Sequence, residues 1–139
     1  MSNEFEQISL KPGFMKHNGG VFFKNISKNE YEFKTTIKEN HLNAAGITHG
    51  GFIAGIVDAG AGTAAHRAAD NNPCVTISLE LKFISAVHLG QELKGNTKIQ
   101  KKTKTMVFLT CELTVKNKIV ATASGVWKIL KLTGAGPGG

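Results

Sequence analysis

Gly50-Gly-Phe-Ile-Ala-Gly-Ile-Val-Asp-Ala-Gly-Ala-Gly-Thr-Ala-Ala-His-Arg-Ala-Ala69 is the stretch on which the fold turns. It holds no proline and many alanines, and its apolar residues do not follow period two, so it predicts one long helix. Gly51, Gly55, Asp58, Gly62, Ala65 and Ala69 recur at steps of four and three and share one helical face. Every member of that face is small except Asp58. Glycine costs about 1 kcal/mol relative to alanine inside a helix, so Gly51, Gly55, Gly60 and Gly62 make a poor isolated helix. Tertiary packing must hold it, and the small face is expected to lie buried against a sheet and a neighbouring backbone.

Outward from this helix the period changes to two. Upstream, Tyr31, Phe33, Thr35 and Ile37 alternate with Glu30, Glu32, Lys34, Thr36 and Lys38, which predicts a half-buried strand paired with a shorter one over Val21 to Lys24. Downstream, Val75, Ile77, Leu79, Leu81 and Phe83 alternate with Thr76, Ser78, Glu80 and Lys82. Further strands are expected at Glu92 to Lys101, Thr105 to Lys116 and Ile119 to Lys131, the last two joined through Asn117 and Lys118 at hairpin spacing. Two strands, a central helix and four strands give an α+β fold, an antiparallel sheet wrapped around one helix. A chain of 139 residues is one domain, placed at 1–133, with the Gly/Pro-rich 134–139 expected to be a flexible tail.

Composition narrows the partners. No apolar run is long and charge-free enough for a membrane span, and residues 1–16 lack the apolar block of a secretory signal, so a cytoplasmic location is expected. Cys74 and Cys111 each fall in a β-patterned run, where a reduced thiol is the expected state. The net charge of +7 favours anionic partners. Much of it sits in Lys98, Lys101, Lys102 and Lys104, without the interleaved aromatics that base stacking would use, which argues against nucleic acid. A lysine-defended strand edge and a phosphate-binding role both fit that cluster.

Just before the helix runs Asn43-Ala-Ala-Gly-Ile-Thr-His-Gly-Gly, with Asp58 eight residues after Gly50. This segment resembles the active-site signature of hotdog-fold thioesterases of the phenylacetic-acid-degradation type: an Asn, a Gly three residues on, a His-Gly-Gly at the helix start and an Asp within the helix. The resemblance runs over about residues 14 to 130, through Phe14 to Gly19 and Ser85 to Gly90. It implies acyl-CoA thioester hydrolysis, CoA being part of the substrate and no separate cofactor. It also implies a homodimer, or a dimer of dimers, whose central helices run antiparallel with the sites between subunits.

Chemistry argues in the same direction. Thioester hydrolysis needs a donor for the carbonyl oxygen and a base or nucleophile at the carbon. The free N–H groups of a helix start supply the first, and Gly50 with Gly51 lets an acyl chain approach that backbone. Asp58 lies about 12 Å down the same axis, so it serves not its own helix start but that of an antiparallel partner. Asn43 is a turn residue or orients water or thioester. His49 positions substrate or fixes the loop. The resemblance places a hydroxyl near the catalytic carboxylate at Thr76, although strict alternation sets Thr76 away from Val75 and Ile77. Gly51, Lys82, Phe83, Lys101, Lys102 and Lys104 complete the expected substrate- and CoA-contacting set.

No metal is expected, because His17, His41, His66 and His88 lack ligand spacing and two distant cysteines make no zinc site. Gly60-Ala-Gly62-Thr-Ala-Ala65 matches a dinucleotide-binding fingerprint but lies inside the helix rather than between strand and helix, so it is set aside. The hydratase variant of the fold would carry a His five residues after Asp58, where this chain has Thr63. A non-catalytic acyl-CoA-binding module is the remaining alternative, and it would have no use for Asp58.

Overall fold

The computed structural model describes residues 4–130, so the expected tail at 134–139 and its boundary at 133 lie outside the described residues. Short β1 (Glu6–Ile8) and one-turn α1 (Phe14–His17), neither anticipated, lead into β2 (Val21–Ser27) and β3 (Glu30–Thr36). The long helix α2 (Gly50–Ala68) follows, then β4 (Cys74–Phe83), β5 (Glu92–Lys102), β6 (Met106–Val115) and β7 (Lys118–Ile129). All seven strands form one antiparallel sheet in the order β1-β2-β3-β5-β6-β7-β4, wrapped on α2 as expected. No helix among the described residues is long and apolar enough to cross a membrane.

The helix packs differently from the expectation. Phe52, Ile53, Ile56, Val57, Gly60, Ala61, Ala64, Ala65 and Ala68 are buried, whereas Gly51 and Asp58 are exposed and Gly55 and Gly62 half-exposed. Of the small face only Ala65 and Ala69 are covered. The larger apolar residues remove more area from water, so they take the sheet side and leave the small stripe open. Gly60, outside that stripe, is the glycine on which core packing depends. The buried ring of Phe33 lies between Gly60 and Gly95 of β5, so close that a Cβ on either would overlap it.

At the sheet margin β4 pairs with β7 alone. Its register shifts between Thr76 and Ser78: Thr76 stands opposite Trp127, and Ser78 opposite Val126. Ile77 is therefore the extra residue of a bulge, which flips the strand's two faces. Leu79 and Leu81 face the helix beyond the bulge, but Thr76 faces it before the bulge. Val75 and Ile77 are left 45% and 51% exposed at this margin.

Candidate active site

The start of α2 is organised by His49. Its Nδ1 accepts the Gly51 N–H at 2.7 Å, and its carbonyl accepts from Phe52 at 3.0 Å and Ile53 at 3.2 Å. A Cβ on Gly51 would lie 2.8 Å from that imidazole, so the glycine makes room for the cap. One donor of the first turn remains: the Gly50 N–H has no acceptor among the described residues. His49 thus fixes the loop and, by occupying its neighbours, leaves a single polarised N–H at the helix terminus. The Phe83 ring sits 3.4 Å from where a Gly50 Cβ would be, beside a cleft of about 350 Å³ that also takes in Asn43, Ile47 and Ile53.

Asn43 has the turn role. Its Oδ1 accepts from the N–H groups of Ala45 at 2.9 Å and Ile47 at 3.3 Å, shaping the loop that delivers His49 and Gly50. Its amide nitrogen has no acceptor among the described residues, in a side chain that lines the Gly50 cleft.

Asp58 lies in a second cleft, bounded by α2 on one side and Pro73 to Thr76 on the other. Thr76 Oγ1 donates to Asp58 Oδ1 at 2.6 Å. The expected pairing is present, and the bulge at Ile77 is what permits it against the strand's simple alternation. That bond occupies one carboxylate oxygen and leaves Oδ2 to act. Within one chain Asp58 and Gly50 stay in different clefts.

The expected substrate set divides. Phe83 stands at the Gly50 cleft, whereas Gly51 faces the His49 imidazole. Nor does Lys82 stand there: it follows Leu81, which faces the helix opposite Ala123, so it points to the outer face and pairs with Glu80 at 2.8 Å. The period of two that sends Leu81 inward carries Lys82 away from both clefts. Lys102 reaches Asp70, just past the end of α2, at 3.4 Å. Lys101, opposite Phe108 on the outer face of β5, points away from the helix, whereas Lys104 is exposed on the turn after β5, which is tied to the end of β7 by the Ile129 N–H to Thr105 carbonyl bond. Lys102 therefore stands beyond the end of α2 and near Cys74 of the Asp58 cleft, on whose thiol its charge acts.

Two residues went unread in the sequence. His41 is buried at 2% exposure, stacked on Phe52 with ring centroids 3.7 Å apart. Its Nδ1 accepts from the Lys38 N–H, so Nε2 carries the proton and donates to the Asn18 carbonyl at 2.7 Å. Burial, more than any other influence, pulls its pKa below the usual 6.5, with the Asn18 bond opposing. Trp127, 1% exposed, lies at the base of the Asp58 cleft, and only the register of β4 against β7 reveals it there. Among the described residues no cluster of His, Cys, Asp or Glu could hold a metal ion. The Gly60 to Ala65 fingerprint lies wholly within α2.

The sequence pattern of the thioesterase superfamily matches residues 45–122, more than half the chain, and spans Gly50, Asp58 and Thr76. The chain belongs to this superfamily. It is a thioester hydrolase with a hotdog fold. A protein of Pseudomonas aeruginosa named provisionally as an esterase is 30% identical over 112 residues, 80% of this chain and 84% of that one. Acyl-coenzyme A thioesterase 13 of Mus musculus is 27% identical over 112 residues, covering 79% and 80% of the two chains. The crystal structure of zebrafish thioesterase superfamily member 2 superposes with a TM-score of 0.79 at 22% identity, covering 88% of this chain and 90% of its own.

Proposed function

We propose that the chain hydrolyses acyl-CoA thioesters to a free acid and CoA at sites shared between two copies. The observation that carries this reading is the single uncapped N–H at Gly50, eight residues before a carboxylate held by Thr76 on the same open stripe of α2. Antiparallel packing of two such stripes, with the two-fold axis near residue 54, sets Asp58 beside Gly50 of the partner subunit. The absence of side chains at Gly51 and Gly62 favours that approach, and the exposed margin of β4 at Val75 and Ile77 offers an edge for continued pairing.

In such a site the Gly50 N–H donates to the thioester oxygen, where charge develops in the transition state. With Asp58 as general base, Oδ2 takes a proton from water while the water oxygen bonds to the carbonyl carbon. The tetrahedral intermediate collapses with C–S cleavage, and the proton passes to the departing thiolate. With Asp58 as nucleophile, a carboxylate oxygen bonds to the carbonyl carbon and the C–S bond breaks, releasing the thiolate and leaving a mixed anhydride; water then cleaves the anhydride to the free acid and the Asp58 carboxylate, and its proton passes to the thiolate. Thr76 orients the carboxylate in either route. Lys102 and Lys104 supply positive charge for the CoA phosphates; Lys101, on the outer face of β5, does not join them. The acyl-CoA relative and the basic cluster support CoA as the thiol carrier. Thiol release from a panel of short, long and aromatic acyl-CoAs tests the reading; wild-type protein with no activity on any of them defeats it.

A further inference from the structure

Gly50 and Gly51 stand side by side at the start of α2, and neither has a side chain with which to fix its own backbone. Glycine is the most conformationally free residue, yet a donor that meets charge in a transition state must be held to within about 0.5 Å. The constraint has to come from the flanking residues, and both flanks lead to His41. On the N-terminal side the His49 N–H donates to the His41 carbonyl at 2.8 Å. On the C-terminal side the Phe52 ring lies flat on the His41 imidazole, with centroids 3.7 Å apart and planes inclined by 11°. The imidazole is itself fixed from outside this loop. Its Nδ1 accepts from the Lys38 N–H at 2.9 Å, and Lys38 follows buried Ile37, whose backbone is tied to Gly90 and Gln91 at 2.9 Å each. Its Nε2 donates to the carbonyl of Asn18, which closes α1 by placing its own amide on the Phe14 carbonyl at 2.8 Å. Both ring nitrogens are engaged, so the ring cannot turn in its plane without breaking a bond. A leucine or phenylalanine would fill the same space against Phe52 but leave the Lys38 N–H and the Asn18 carbonyl unpaired.

We propose that His41 is a positioning residue for thioester hydrolysis: it clamps the Gly50–Gly51 pair from both flanks and so sets the direction of the Gly50 N–H. The inference rests on the thioesterase reading above and extends it to a residue that lines neither cleft. His49 acts downstream of this clamp. Its cap on Gly51 and its carbonyl bonds to Phe52 and Ile53 start from a backbone that the His41 carbonyl has placed. Thr48 pins the same loop to the Val87 carbonyl, through its N–H at 2.9 Å and its hydroxyl at 2.7 Å, but it precedes His49 and holds one flank only. His41 alone spans the pair, and its two ring bonds carry the fixed positions of α1 and of the end of β3 to the start of α2.

Two substitutions loosen the clamp from opposite sides, so the test stands if one of them fails to fold. His41→Gln gives up the flat ring, and Phe52→Leu gives up the stack while leaving the His41 hydrogen bonds in place. With the best acyl-CoA, well below each melting temperature, kcat should fall about tenfold and KM should stay within about twofold, because a misplaced donor is felt mainly in the transition state. Gly60→Ala, destabilised at a different core contact, should keep its kcat under the same conditions. In protein labelled with 15N-glycine, the Gly50 and Gly51 amide signals should shift and broaden in both clamp variants, whereas those of Gly95 in β5 and Gly125 in β7 should stay. A kcat within about twofold of wild type in either folded variant, a loss carried by KM, or an equal loss in Gly60→Ala overturns the assignment. So do Gly50 and Gly51 signals that do not move. A wild-type protein that hydrolyses no acyl-CoA removes the proposed function, and the glycine signals then decide by themselves whether His41 holds this pair.

Discussion

Gly60 and Gly62 stand two residues apart on α2 and face opposite demands. A Cβ at Gly60 would overlap the Phe33 ring in a close-packed interior, whereas one at Gly62 would meet only the edge of Trp127 at 3.3 Å across an open groove. Glycine on the packed side admits a neighbour's ring; glycine on the open side leaves that face of the helix low. The same division separates Ile56 and Val57, both fully buried, from Asp58, which is exposed. One face of the helix is spent on stability and the other is available for chemistry, so substitutions on the two should fail in different assays.

The largest separation is expected at Asp58. Asp58→Asn preserves shape and can still hydrogen-bond, so melting temperature should stay near wild type while kcat for the best acyl-CoA falls by about 100-fold or more. Because the lost interaction is made mainly in the transition state, KM should change little. Near-wild-type turnover would remove Asp58 from the chemistry.

Gly60→Ala should do the reverse. Forcing a methyl against Phe33 in a filled core costs about 1–3 kcal/mol, whereas at Gly62 a helix-propensity gain of about 1 kcal/mol offsets a single tight contact with the edge of Trp127. Urea unfolding should therefore show a much larger fall in midpoint for Gly60→Ala than for Gly62→Ala. Equal shifts would mean that the two sides of α2 are not distinct.

Much of this was legible beforehand, and the gaps have physical causes. The long helix and the six longer strands before and after it follow from the change of period along the chain. Which face of α2 would be buried did not follow, because Phe52, Ile53, Ile56 and Val57 come as adjacent pairs that outweigh the more conspicuous glycine stripe. The inward turn of Thr76 depends on a bulge at Ile77, and a bulge leaves no mark in a strand that alternates cleanly on both sides of it. Trp127 needed the cross-strand register, which joins residues far apart in sequence. Lys82 failed for the opposite reason, since the strict alternation of β4 beyond the bulge carries it to the outer face.

A smaller effect is expected at Thr76. Thr76→Val keeps the β-branched shape but removes the donor to Asp58, so kcat should fall by about tenfold with little change in stability at this exposed position. Thr76→Ser restores the hydroxyl and should recover most of the rate. If Val and Ser behave alike, the 2.6 Å hydrogen bond is incidental to catalysis.

The smallest effect contrasts the two histidines that flank the 43–47 loop. His49 serves the open side as a cap, while His41 belongs to the packed side, stacked on Phe52 and buried. Burial holds the folded-state pKa of His41 below its ordinary 6.5, so the unfolded chain binds the proton more readily. Stability from the neutral ring is therefore fully present above 6.5 and is lost as pH falls through 6.5 toward the lower folded value. Protonation would also turn Nδ1 into a donor facing the Lys38 N–H that it now accepts from. Thermal melts from pH 7.5 down to 5.5 should show a fall of a few degrees in the wild-type protein. In His41→Gln, less stable at neutral pH, the curve over that window should be flatter. A wild-type slope that survives His41→Gln would place the titrating group elsewhere and break the assignment of His41 to the packed side.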